Sequence, residues 1–303
     1  MNRTSDIQVF DRALLRRRRD RVSGRAAEHG FLFEEVSQNI LERLALVKKE
    51  FPVVLDLGSA HGHLSDKLRQ RPGTGTVISA DLSGNVGQAG IVTPVVLDVE
   101  MLPFRETSLD AVVSCLDLHW VNDLPGALLQ IRRALKPDGL FLAAILGGET
   151  LTELRHSFME AELKVTGGVS PRVSPFADLR DMGSLMQRAG FALPVVDGDR
   201  IDVEYNSPFK LLQDLRGMAA TNATHNRSRK MLRRSVLLEA MQYYQSQYPA
   251  RDGGIRATFD VIYMIGWAPH ESQQKPLRPG SAANRLAEAL QGVEVTAGEK
   301  AIP

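Results

Sequence analysis

The decapeptide Val53-Val54-Leu55-Asp56-Leu57-Gly58-Ser59-Ala60-His61-Gly62 constrains the fold of this chain more than any other stretch. The apolar run Val53–Leu57 suits a parallel strand covered on both faces. Gly58 permits a sharp turn and close backbone approach, and Gly62 opens a helix whose unpaired N–H groups make an electropositive end. Strand, glycine turn and helix in that order form the first unit of a doubly wound sheet, where a ligand lies beyond the carboxyl ends of the strands.

The rest of the chain extends that unit. Strands are predicted at Thr76–Ala80, Pro94–Leu97, Ala111–Cys115 and Leu140–Leu146. Helices over 63–70, Ser83–Gly90 and about Leu124–Leu135 alternate with them, and Lys136-Pro137-Asp138-Gly139 is a turn. After Gly148 the rhythm changes: helices over 150–166 and 176–189 flank a loop at 167–175, and a strand covers 193–205. A helix then starts at Leu211, another spans 230–248, and Ala257–Trp267 is a long last strand. The pattern predicts an α/β fold, a doubly wound, seven-stranded, mostly parallel, Rossmann-like sheet. The expected organisation is a helical cap over 1–50, a sheet domain over 51–272 with helical insertions at 149–189 and 207–248, and a flexible tail over 273–303.

Composition narrows the function. With 303 residues and 24% charged side chains the formal net charge is only +1, so no global field recruits nucleic acid. A single cysteine, Cys115, rules out an internal disulfide. The longest apolar run, 140–146, is too short to cross a bilayer, and no apolar secretory core stands near the N-terminus. The run Arg16–Arg19 lies among Asp6, Asp11 and Asp20 and is read as the solvated face of a helix, not a transit peptide or an acidic-partner site.

The candidate site follows from the strand tips. Asp81, followed by Leu82, ends the second strand, placed to accept both hydroxyls of a ribose; the alternative is an aspartate capping the next helix. The turn has only two glycines and lacks the third small position of a dinucleotide fingerprint, which serves a pyrophosphate. S-adenosyl-L-methionine (SAM) carries no phosphate. It needs backbone groups around Gly58, Ser59 and Gly62 for its amino and carboxylate ends, and Asp56 for its ammonium, unless Asp56 only caps the turn. Asp98 is placed for an adenine amino group, with Val99 or Met101 against the ring, or is a solvated loop acid. Asp110 reads as structural. Ser114–Trp120 should roof the reacting centre. Within it His119 is a candidate proton acceptor or substrate contact and Trp120 a candidate to stack on a ring, the alternative being that both pack beneath the next helix, which is the reading taken for Trp120.

These positions, with Asp98-x-Glu100-x-Leu102-Pro103-Phe104, Leu118–Pro125 and Leu135–Gly139, resemble class I SAM-dependent methyltransferases. Val9–Arg12, Gly147–Arg155, Ser170–Phe176, Gly217-Met218, Asn226-Arg227 and Tyr263–Trp267 extend a closer likeness over nearly the whole chain. They resemble the respiratory complex I assembly factor family of mitochondria and its bacterial relatives. The biotin-pathway methyltransferases that esterify malonyl-acyl carrier protein are a more distant likeness. The resemblance implies a SAM cofactor and a protein substrate, a complex I subunit, methylated or hydroxylated on an arginine as in the mitochondrial members. A SAM-binding assembly chaperone without catalysis fits it too. It further implies a bacterial cytoplasmic protein, or a matrix protein if eukaryotic, with peripheral membrane association. The family's Cys-Gly-Arg is here Ser59-Ala60-His61, which puts the strength of SAM binding in question.

Polar candidates for the acceptor pocket, beneath the N-terminal helices and the insertion, are Glu149, Arg155, Arg172, Asn222, Asn226 and Arg227. Arg227 suits a carboxylate or a surface ion pair. Tyr243, Tyr244 and Tyr248 read as packing. None of the seven histidines is followed two residues later by Asp or Glu, so no facial iron triad begins there. His61 and His63 read as the start of a helix, and no metal site is predicted.

Overall fold

The structure, a computed structural model, describes residues 8–59, 62–84, 93–251 and 253–274. Ala60, His61, most of the predicted helix Ser83–Gly90 and the predicted tail from Lys275 onward lie outside the described residues. Two units separate, Met1–Pro269 and His270–Pro303. The described part of the second is a turn in which His270 Nδ1 meets Ser272 Oγ at 2.7 Å.

In chain order the first unit runs α1 (Arg12–Val22), α2 (Phe31–Ala45), β1 (Phe51–Leu57), α3 (His63–Gln70), β2 (Thr74–Asp81) and β3 (Thr93–Val96). It continues with β4 (Leu109–Cys115), α4 (Leu124–Ala134), β5 (Leu135–Leu146), α5 (Thr152–Thr166) and α6 (Leu179–Arg188). β6 (Ala192–Tyr205), α7 (Pro208–Gly217), α8 (Arg234–Gln247) and β7 (Ile255–Trp267) complete it.

The strands make one sheet in the order β3-β2-β1-β4-β5-β7-β6. β1 to β5 are parallel, and β7 is antiparallel to both its neighbours. The order reverses between β1 and β4, and the crevice at their carboxyl ends is where this topology binds ligands. Val54, Leu55 and Leu57 are buried because both faces of the sheet are covered. α2, α3, α5, α7 and α8 cover one face, with Val36, Ile40, Leu68, Leu211 and Tyr244 in the core. α4 and α6 cover the other through Leu128, Ile131, Met182 and Met186. Tyr244 is fully buried, stacks edge-on against Tyr248, and donates its hydroxyl to the Arg256 carbonyl, as the packing reading expects.

Three local expectations change. The first helix begins later than its apolar stripe, because the Asp11 carboxylate caps it by accepting the Leu14 N–H. Val9 and Phe10 are instead extended, and Phe10 bridges Thr224. The turn at Lys136–Gly139 lies within β5 as an irregularity: Asp138 takes φ +61°, and the register with β4 jumps from Leu109↔Leu135 to Ala111↔Leu140. Most consequentially, Arg16–Arg19 is not a wholly solvated face. Arg18 donates to the Thr221 and Asn222 carbonyls, and Arg19 points inward among carboxylates.

Candidate cofactor and acceptor site

The turn after β1 is built as its glycines allow. Gly58 (φ +78°) and Ser59 both donate their N–H to the Ala80 carbonyl, at 2.8 and 3.0 Å. Gly62 (φ +75°) donates to Ser59 O and precedes α3. The N–H groups of Gly58 and Ser59, expected to meet a ligand, are therefore already engaged by the strand beside them. Glycine at 58 has a second cause: a Cβ there would overlap the side chain of Asp117.

Three buried carboxylates converge at the tips of β1, β2 and β4. Asp56 is fully buried; its Oδ2 accepts from Ser65 Oγ, and its Oδ1 has no partner among the described residues. It lines a small cavity with Ser37, Gly58, Ser59, His63 and Cys115. Burial first, then the charges of Asp81 and Asp117, push its carboxyl up to about 7. Asp81 accepts the Ser83 N–H on Oδ1 at 2.7 Å and Arg19 Nη1 on Oδ2 at 3.0 Å. Asp117 Oδ1 takes the other arm of the same guanidinium, and its Oδ2 has no partner among the described residues. Burial pushes Asp117 up, but Arg19 outweighs it and holds the carboxyl below its usual value; the carboxylates in turn raise Arg19 against its own burial.

The other expected cofactor positions divide. Asp98 pairs with Arg12 Nη2 at 2.6 Å and accepts the Glu100 N–H. Val99 is buried in the core, while Met101 is exposed. Ser114 is fully buried, and its hydroxyl has no partner among the described residues. Leu82 packs against the cluster of Phe10, Leu15, Trp120 and Ala223.

Next to the carboxylates, Leu15, Arg19, Leu116, His119, Trp120, Leu146 and Phe176 line a cavity. His119 is buried; Nδ1 accepts the Leu146 N–H at 3.5 Å, and the ring lies 5.0 Å from Trp120 and 5.8 Å from Phe176. Burial pushes its imidazole down to about 3, so it is neutral at physiological pH and a weak base. Trp120 packs edge-on to Phe10, in a cluster with Leu15 and Ala223 and not beneath the following helix, and contributes to the cavity wall.

Arg155 and Asn226 line a second cavity, which meets the first at Phe176. Arg155 donates to the Gly148 and Thr150 carbonyls, and Arg172, also on that wall, pairs with Glu162. Arg227 lies apart from both: it bridges Asp11 and the Thr224 carbonyl and ties the N-terminal segment down. Asn222 holds its own loop through Thr224 and Pro171, and the Glu149 N–H meets Asp260. Among the described residues no three His, Cys, Asp or Glu side chains lie close enough to hold a metal.

Sequence reading missed Arg19 and Asp117. The signals were present. Arg12, Leu15 and Arg19 share one face of a helix, and Leu15 is apolar. Asp117 is the one acid in the otherwise uncharged segment Ser114–Val121.

A family profile described as methyltransferase domain matches residues 28–194. The chain is similar to the mitochondrial arginine-hydroxylase NDUFAF5 of Danio rerio, 41% identical over 282 residues, covering 91% of this chain and 88% of the relative. It is 35% identical over 280 residues to malonyl-[acyl-carrier protein] O-methyltransferase of Methylovorus sp., covering 88% and 92%. A candidate methyltransferase of Bacillus halodurans shares the fold, with TM-score 0.54 and 16% identity, covering 77% of this chain and 99% of that one.

Proposed function

This chain belongs to the methyltransferase-domain family, with the arginine-hydroxylase NDUFAF5 and malonyl-[acyl-carrier protein] O-methyltransferase sequences, and we propose that it is a SAM-dependent enzyme acting on a protein side chain. The observation that carries this reading is the cluster Asp56, Asp81 and Asp117, buried at three neighbouring strand tips, with one oxygen of Asp56 and one of Asp117 lacking partners among the described residues. Such a cluster favours a cation-bearing ligand, and SAM carries both an ammonium and a sulfonium.

When bound, the cofactor supplies an electrophilic methyl group. Asp81 would hold the ribose hydroxyls, and Asp56 the ammonium end, in the small cavity beside Ser65. The neutral His119 and the wall of Trp120, Leu146 and Phe176 exclude water from the acceptor and align it. His119 serves as a positioning and hydrogen-bonding group, because its low proton affinity suits it poorly for general base work.

We take the acceptor to lie on a protein, a subunit of respiratory complex I, a reading that the 41% likeness to NDUFAF5, against 35% for the carrier-protein methyltransferase, supports. Hydroxylation, the activity named for the relatives, takes an oxidant as well. We place the enzyme in the bacterial cytoplasm, or in the matrix if the source is eukaryotic, attached peripherally to the membrane where complex I is assembled; among the described residues no helix is long and apolar enough to cross a membrane.

The test adds labelled SAM and the protein to an extract lacking it and weighs the complex I subunits. A labelled subunit heavier by one methylene supports methyl transfer, and an arginine peptide heavier by one oxygen supports hydroxylation. Label confined to an acyl carrier protein would move the enzyme to the malonyl esterification, and unmodified proteins with intact SAM binding would leave a chaperone.

Asp56 gives a pH-dependent prediction. Its folded-state value of about 7 lies above the ordinary 3.8, so the native state holds a proton that the unfolded state releases. Its contribution to apoprotein stability is full below the unfolded value and is lost as pH rises through about 7. Asp56→Asn should therefore flatten that decline, and the variant should melt higher than wild type at pH 8. SAM binding should show the opposite trend. The ammonium selects the ionised carboxyl, so affinity should fall as the pH drops through about 7, with proton uptake by the solvent buffer visible in calorimetry. Wild-type affinity that stays flat across that range would remove Asp56 from the ammonium site.

A further inference from the structure

We infer that Arg19 is a gate on the cofactor site: its guanidinium occupies the Asp81 carboxylate in place of the ribose and must turn away before the cofactor can seat. The inference rests on the SAM reading above.

α1 is held over the site by the acids of the strand tips. Arg12 pairs with Asp98 beyond β3, and Arg19 spans Asp81 at the end of β2 and Asp117 after β4. Asp20 accepts Ser83 Oγ at 2.5 Å and the Gly84 N–H at 3.3 Å in the loop after β2. This is no surface ion pair. The side chain of Arg19 is 10% exposed, and those of Asp81 and Asp117 are 0% and 2% exposed. A planar guanidinium forks between the two carboxylates, one nitrogen to each. Nη1 lies 3.0 Å from Asp81 Oδ2 and the Ser83 N–H 2.7 Å from Oδ1, so both oxygens are already engaged and a ribose hydroxyl competes with the guanidinium for its place at Oδ2.

The two occupants are alternatives at Asp81 but not at Asp117. Arg19 can release Asp81 and keep Asp117, so it pivots while α1 stays docked. That pivot moves a wall of the acceptor cavity, which Arg19, Val22 and Ser23 share with His119 and Trp120. Loading the cofactor thus reshapes the acceptor pocket, and the order of binding is cofactor first. The cost appears in affinity. If the latch is closed about nine-tenths of the time, the apparent Kd is raised about tenfold.

The experiment is calorimetry of SAM and of its demethylated product on the full-length wild type, Arg19→Gln and Arg19→Lys, with thermal melts to show that each is folded. Arg19→Gln should bind SAM about tenfold more tightly than wild type. The gain should be larger for SAM than for the thioether, which lacks the sulfonium charge, because the two carboxylates paired with Arg19 then lack a counter-charge. Arg19→Lys keeps the charge but loses the fork, and should fall between. If Arg19→Gln does not fold, Arg19→Lys decides by the same sign. SAM binding equal to or weaker than wild type in the folded variants overturns the gate and makes Arg19 a scaffold or a cofactor contact. Absence of heat from wild type and variants alike removes the cofactor reading, and the gate with it.

Discussion

Asp81→Ala should fold and should bind SAM about a hundredfold more weakly than wild type. The carboxylate is buried, so hydrogen bonds to it are those of a charged group, worth about 1.5–3 kcal/mol each. Two ribose hydroxyls would lose about 3–6 kcal/mol between them. Part of that loss is offset because Arg19 no longer competes for the position, an effect of about 1.4 kcal/mol for a tenfold latch. The remainder corresponds to roughly two orders of magnitude. The fold should survive, since Arg19 keeps Asp117 as a counter-charge and is not left as an isolated buried cation. Titration calorimetry on the purified variant measures this directly. Unchanged affinity would show that the ribose is held elsewhere and would withdraw Asp81 from the site.

Gly58→Ala should have the largest effect on stability. Gly58 has φ +78°, where an L side chain costs about 1–2 kcal/mol. Its new methyl would also overlap Asp117 Cβ and Cγ in a packed interior, adding about 1–3 kcal/mol. A total of about 2–5 kcal/mol is a large part of the stability of an ordinary domain. Gly62→Ala is the matched control. It has φ +75° but nothing among the described residues within 4 Å of the added carbon, so the backbone cost of about 1–2 kcal/mol is the one that applies. Chemical denaturation of the two variants should therefore differ by the Asp117 overlap alone. Equal losses would mean that Asp117 moves aside freely and that its position against the turn is not fixed.

These variants probe different parts of what the sequence made visible. The strand-turn-helix unit was legible because its signals are local: an unbroken apolar run for a strand buried on both faces, and glycines where the turn needs positive φ. The strand tips at Asp56 and Asp81 were legible for the same reason, since an alternating pattern fixes where each strand ends. Helix limits were less so. The apolar stripe from Val9 suggested an early start to the first helix, and only the capping carboxylate of Asp11 places that start at Arg12. Arg155 and Asn226, read as acceptor contacts, line a cavity, but Arg227, read alongside them, is committed to Asp11. Sequence chemistry names what a side chain can bind, and neighbours brought by the fold decide what it does bind.

The sequence by itself determined the α/β architecture, the succession of the first five strands along the chain, the glycine turn and the family, because each rests on residues adjacent in the chain or on a pattern repeated along it. Tertiary structure alone decided the charge arrangement of the site. Arg19 meets acids 62 and 98 positions away, and that approach depends on how α1 docks across three strand tips, which no local pattern encodes. A run of arginines that looks solvated in one dimension acquires a buried member, because burying Asp81 and Asp117 together requires a counter-charge, and the helix above them supplies it.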